Sequence, residues 1–220
     1  MDEWITVKVD NLLPDRIHST SSKRRKRFHS TSSNTGELWS AYAEKAYAKR
    51  YGGYDSINGG KGIEAMVDLT GGFAVSTRLN MTHADKTFNF LFANQSNLIM
   101  TSAIFGSASN ETELESGLFD NHAYSLLQLA KVQDNDNNIV RLVRIRNPWG
   151  NSKEFKGNWS DNSNKWNTLP HQTKERLYLN QADGAFWMLY EDWIDNFDEY
   201  SFCFVPTNTY NGFVGMYNCI

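Results

Sequence analysis

The sequence is poor in several features that would place a protein quickly. Only two cysteines, Cys203 and Cys219, occur in 220 residues. The N-terminus, Met1-Asp2-Glu3-Trp4, is neither basic nor followed by an apolar stretch, so no secretory signal is visible. Scarce cysteine without a signal points to a reducing setting inside the cell, and cytoplasmic localisation is expected. Sequons such as Asn80-Met81-Thr82 then carry no meaning. No apolar run approaches the ~20 residues needed to cross a bilayer, so no membrane span is expected. A formal net charge of −3 names no partner class. What is present is a core: 40% hydrophobic residues, 14% aromatic, with seven tryptophans and thirteen phenylalanines. That is enough to bury one or two domains and argues against disorder over most of the chain.

One segment departs from this balance. Lys23-Arg24-Arg25-Lys26-Arg27 lies between two copies of a short polar repeat, His18-Ser19-Thr20-Ser21-Ser22 and His29-Ser30-Thr31-Ser32-Ser33. A solvated loop insertion over residues 15–36 is the favoured reading. A nuclear-import signal, a patch for anionic surfaces and a phosphorylation-tuned loop are the functional alternatives. No aromatic residue interleaves the basic run, which disfavours nucleic-acid binding.

The element pattern is mixed. Trp4–Asp10 reads as a strand and residues 37–51 as a helix with Leu38, Trp39, Tyr42, Ala46 and Tyr47 on its apolar face, stopped by Gly52-Gly53. A shorter helix is expected at 63–69. Residues 87–94 fit either a helix or a strand. Strands are expected near 97–105, 122–127, 139–146, 185–189 and 200–205, with helical stretches at 170–179 and 191–197.

The chain is organised around residues 121–149. Asn121-His122-Ala123-Tyr124-Ser125-Leu126-Leu127 and Ile139-Val140-Arg141-Leu142-Val143-Arg144-Ile145-Arg146-Asn147-Pro148-Trp149-Gly150 are joined by the polar turn cluster 133–138. That is a hairpin pattern. Alternation puts Asn147 on the side of Val143 and Ile145, and Pro148 keeps it extended. His122 opens the partner strand. A side-chain oxygen from Asn147 would accept the proton of one ring nitrogen and leave the other as a base, the orienting half of a Cys-His-Asn site.

These two motifs resemble the second half of the calpain protease core, a papain-like cysteine endopeptidase. Glu37-Leu38-Trp39-Ser40, Glu44-Lys45-Ala46-Tyr47-Ala48-Lys49, Asp68-Leu69-Thr70-Gly71-Gly72, Trp159-Ser160-Asp161, Trp166-Asn167 and Asp183-Gly184-Ala185-Phe186-Trp187-Met188 extend the likeness in family order over nearly all of residues 4–206. It implies an α+β fold: part of a helical first subdomain (1–72) and a complete β-rich second subdomain (73–206), with a loose tail at 207–220. The resemblance also implies calcium-dependent proteolysis of protein substrates. The family's nucleophile belongs to a Gln…Cys-Trp segment that these 220 residues do not contain. The expectation is therefore a truncated, inactive partial endopeptidase with the His and Asn of the triad, or alternatively a non-catalytic calpain-like binding or regulatory protein. A regulatory subunit is left open.

By the same resemblance Trp149 shields the pair and blocks the cleft until calcium rearranges the core. Gly60 contacts the substrate backbone, where a missing side chain permits close approach. Asn121 stands where the family usually has glycine and would narrow the cleft. Glu154, Asp161 and Asp183, with Gln181, match a calcium site of the second subdomain, whereas Ala185 replaces a further carboxylate. Calcium takes about six to eight oxygen ligands, so the ion is expected to bind weakly or to be partly lost. Glu37 is a remnant of the first subdomain's calcium site. Cys203, mid-strand between Phe202 and Phe204, reads as a buried structural thiol. Ser125 has no separate base to activate it, and neither residue is expected to act as nucleophile.

Overall fold

A computed structural model describes residues 4–14, 30, 32, 34, 36–106, 110–150 and 153–205. The basic run Lys23–Arg27, the tail from 206 and Cys219 lie outside these residues. Contacts divide the chain into two compact units, one up to Lys61 and one from Gly62 onward.

In the first unit, α1 (Trp39–Arg50) occupies the expected helical stretch and ends at Gly52 and Gly53, both with positive φ. Its apolar face is not the expected one. Leu38 is half exposed, and the buried residues are Ser40 and Ala48. Trp4–Asp10 is not a strand. A strand needs a partner ladder, and this segment instead gives its carbonyls to lysines of α1. Lys49 Nζ donates to Lys8 O at 2.7 Å, and Lys45 Nζ donates to the carbonyls of Asp10 and Leu12.

The second unit is built on one antiparallel sheet. Its elements are α2 (Gly62–Thr70), β1 (Phe73–Arg78), α3 (Ala84–Asn94), β2 (Leu98–Ile104), β3 (His122–Gln133), β4 (Ile139–Arg146), α4 (His171–Leu177), β5 (Ala185–Leu189), α5 (Tyr190–Asn196) and β6 (Glu199–Phe204). The strand order is β1-β6-β2-β3-β4-β5. Residues 87–94 resolve as a helix because Ala84, Phe88 and Leu91 share its buried face, the spacing of a helix rather than a strand.

Period-2 alternation gives the sheet two cores. Val143 and Ile145 of β4 and Phe186 and Met188 of β5 join Phe88 and Leu91 of α3 and Tyr190 and Trp193 of α5 on one face. Leu142 and Trp187 face the other way, into Trp159, Trp166, Leu169 and Leu177. A register shift between Leu126 and Gln128 interrupts the β3–β4 ladder. Past it, Leu129 keeps to the first core and Ala130 to the second. Both faces of the central strands are therefore filled, which fixes the end of the sheet where β3 begins and β4 finishes. At about 25 cal/mol per Å², each fully buried large side chain here contributes roughly 1.5–3 kcal/mol.

Candidate active site

His122 is the first residue of β3 and lies opposite Ile104, the last residue of β2. Asn147 directly follows β4. Continuing the Ser125–Arg146 pairing by one residue places Asn147 opposite Tyr124. His122 is then its diagonal neighbour on the same face, within reach of a short side chain. The two side chains meet: His122 Nε2 is 3.0 Å from Asn147 Oδ1. Asn147 is completely buried and His122 nearly so.

The network settles which amide atom faces the ring. Asn147 Oδ1 also accepts the Trp149 amide at 3.1 Å, while Asn147 Nδ2 donates to Lys153 O at 3.2 Å. With the oxygen turned to the imidazole, Nε2 carries the proton and donates, leaving Nδ1 as the second site of the ring. Backbone bonds hold the turn: Asn147 N donates to Gly184 O at 2.8 Å, and Gly150 N donates to Asn147 O at 3.1 Å. Gly184 must be glycine here. Its φ is +83, and a Cβ would lie 2.7 Å from Asn147 O.

Aromatic rings enclose the imidazole. Tyr124 stands edge-on at 4.8 Å, and Trp149 lies 4.8 Å away on another side, itself packed on Phe119 at 4.5 Å. Trp149 remains 37% exposed, so it is a cover over the ring rather than part of the core. Tyr124 Oη accepts the Phe119 amide at 2.7 Å. Burial pushes the Tyr124 hydroxyl up to about 12, so it stays protonated near neutral pH.

Nδ1 has a partner that the sequence reading did not foresee. Glu111 Oε1 lies 2.6 Å from it. Glu111 sits on the segment before β3, which is braced by Glu113: its carboxylate binds Lys153 at 2.6 Å and Lys156 at 3.1 Å. Those lysines hold the Glu113 carboxyl below the usual carboxylate range. No motif marks Glu111; its acidic neighbours in Glu111-Thr112-Glu113-Leu114-Glu115 look like an ordinary solvated loop.

Asn121, the residue before the histidine, has φ +50. The left-handed region favours glycine and tolerates asparagine better than most residues, so the backbone gives a reason for a glycine at this position. Gly60 belongs to the first unit, at φ +152 with open space around its Cα. Glu37 is also in that unit, where Ser32 Oγ donates to it at 2.6 Å and Asn34 Nδ2 at 3.1 Å. These bonds hold its carboxyl below the usual range.

The acidic residues of the second unit surround the loop before β5. Glu154 Oε1 accepts the Gly184 amide at 2.9 Å, Asp161 Oδ2 the Gln181 amide at 3.1 Å, and Asp183 Oδ1 the Ala185 amide at 2.9 Å. Burial, with added repulsion from neighbouring carboxylates, holds Glu154 and Asp161 above the usual range. A cation would relieve that repulsion. Even so, among the described residues no three His, Cys, Asp or Glu side chains gather into a group that could hold a metal ion. The donor chemistry suits calcium, but the arrangement is not a formed calcium site.

Cys203 does not serve His122. It pairs with Ile99 in β2, whereas His122 pairs with Ile104. Five residues along a strand span about 17 Å, and two strand spacings of about 4.8 Å separate β6 from β3. The thiol is fully buried, 3.5 Å from Thr70 Oγ1.

An antiparallel sheet carrying a buried histidine–asparagine pair at one end, with helices on its flank, is the α+β architecture of a cysteine-protease core. Comparison of the sequence with known families makes this specific. Residues 1–204 match the sequence model of the calpain family of cysteine proteases. The chain is 36% identical over 208 residues to calpain clp-1 of Caenorhabditis elegans, and 36% identical over 215 residues to calpain-B of Drosophila melanogaster. It is 38% identical over 205 residues to the calpain-1 catalytic subunit of Rattus norvegicus. Each match covers 91% of this chain and respectively 25%, 22% and 27% of the relative. The chain belongs to the calpain family, and it spans about a quarter of the length of these curated relatives. Among the described residues no helix is long and apolar enough to cross a membrane.

Proposed function

We propose that this chain supplies the base and the orienting amide of a Cys-His-Asn endopeptidase site, acting on protein substrates. The observation that supports this most directly is the buried hydrogen bond from His122 Nε2 to Asn147 Oδ1. It commits the ring to one tautomer and leaves Nδ1 as the proton-accepting nitrogen. In the proposed reaction Nδ1 takes the proton of a cysteine thiol, and the thiolate attacks the scissile carbonyl. The imidazolium then returns the proton to the leaving amine. Asn147 keeps the ring oriented through both transfers. In this reading the thiol comes from a Gln…Cys-Trp segment of the family type, and Cys203 lies far along the sheet.

Within this reading Trp149 excludes water from the imidazole–amide bond, which strengthens it. Asn121 restricts the cleft beside the base, and Gly60 lies along the substrate backbone. Residues 1–72 and 73–206 act as the two subdomains. Calcium enters as an effector held weakly by Glu154, Asp161 and Asp183 with Gln181, Glu37 being left from a first site. No step of the chemistry is routed through the ion. The proposed compartment is the cytoplasm, with nuclear entry through Lys23–Arg27 as a variant.

The native polypeptide tests the reading. A species much larger than the 25.2 kDa of this chain, labelled by a thiol-directed peptide probe and losing that label in His122→Ala, supports the endopeptidase. A native species of that smaller mass that takes no label supports the non-catalytic binding role instead.

A further inference from the structure

Among the described residues, Glu111 is the one charged side chain set directly against the ring nitrogen that the chemistry needs. Asn147 Oδ1 takes the Nε2 proton, and the other groups packed on the ring, Tyr124, Phe119 and Trp149, offer no charge. A neutral ring protonated at Nε2 would present a lone pair at Nδ1 to the Glu111 carboxylate, two acceptors 2.6 Å apart. The contact is satisfied only when a proton lies between them. The stabilising form is an imidazolium donating from both nitrogens, to an amide oxygen on one side and a carboxylate on the other.

We propose that Glu111 is an internal anionic partner of His122, occupying Nδ1 in the place that a nucleophilic thiolate takes when the site is assembled. The second half of that statement rests on the endopeptidase reading above; the ion pair itself does not. An imidazolium with both protons committed has no site left to receive a thiol proton, so the contact holds the base closed. It is also built to open. The Glu111 side chain is 41% exposed, whereas that of His122 is 5% exposed. The segment carrying Glu111 is held to residues 153–156 by the Glu113 pairs with Lys153 and Lys156, both lysines being largely solvated. Lys153 links the two ends of the device, since its carbonyl also accepts from Asn147 Nδ2. Glu111 therefore acts as a positioning residue that competes with the nucleophile for one nitrogen.

The test is nitrogen-15 NMR of the imidazole of His122 in the 220-residue chain, against Glu111→Gln and Glu111→Ala. In the wild type the ring is expected to show a hydrogen bond between Nδ1 and the Glu111 carboxylate in addition to the Nε2 bond to Asn147. In both variants the bond to a carboxylate at Nδ1 is expected to be lost while the Nε2 bond to Asn147 remains. Glu113→Gln is expected to shift the ring partway, as weakening of the brace would. In a fusion that supplies the cysteine segment, Glu111→Gln should speed alkylation of that cysteine about tenfold, the scale of a lost charged hydrogen bond. A wild-type ring without a hydrogen bond at Nδ1, or a ring unchanged by both Glu111 substitutions, overturns the proposal. If the ring behaves as expected but the fusion never cleaves peptides, the ion pair stands and the endopeptidase reading fails.

Discussion

Asn147 Oδ1 accepts two hydrogen bonds at once, from His122 Nε2 at 3.0 Å and from the Trp149 backbone amide at 3.1 Å. One oxygen thus joins the start of β3 to the turn that follows β4. The same contact that orients the base also closes the sheet's end, so chemistry and stability cannot be separated at this residue.

Asn147→Ala is expected to lower stability by about 2 kcal/mol, because it leaves buried donors on His122 and Trp149 without acceptors. Urea unfolding checks this. The midpoint should fall with the slope unchanged, whereas an unaltered midpoint would mean that water replaces the amide without cost.

Asn121 sets a local backbone test. At φ +50, Asn121→Gly should be neutral or slightly stabilising, whereas Asn121→Val should cost about 1–2 kcal/mol, the penalty of a side chain in the left-handed region. If the asparagine also narrows the cleft, Asn121→Gly should raise turnover of small peptides in an assembled enzyme. Equal turnover would leave the residue a backbone role only.

The acidic loop gives a pH dependence with a defined sign. Glu154 and Asp161 are raised above ordinary values of 4.5 and 3.8, so folding favours their protonated forms. The stability they contribute is present below those values and lost as pH rises through the folded ones. Glu154→Gln should therefore stabilise the calcium-free chain at neutral pH, with the gain shrinking as pH falls through the raised folded value and gone below 4.5. Calorimetric titration with calcium should show weak binding, tightened in Ala185→Glu. Equal affinity in the two proteins would show that position 185 is not a missing ligand.

The alternation of β4 and β5 announced the sheet, and the meeting of His122 with Asn147 was legible because one opens a strongly patterned strand and the other directly follows the next. Both Ile145 and Val143, two and four residues before Asn147, are fully buried, so period-2 reasoning pointed the amide inward. Other parts were not legible, for physical reasons. Strand β1, an exposed edge with only its partner β6 beside it, has no clean alternation to read. Trp4–Asp10 has a strand's composition, but pairing is decided by partners that composition does not name. Glu111 reaches His122 from eleven residues upstream through loop geometry, which leaves no periodic trace.

The most direct test of His122 and Asn147 as base and orienting amide is peptide hydrolysis by the chain with a family-type Gln…Cys-Trp segment fused ahead of Met1. Thiol-blockable cleavage is expected in the fusion and not in the unmodified chain, since a base with nothing to deprotonate forms no acyl-enzyme. His122→Ala should abolish that cleavage and Asn147→Ala should weaken it more mildly. No cleavage in a fusion shown to be folded, or thiol-blockable cleavage by the unmodified chain, would contradict it.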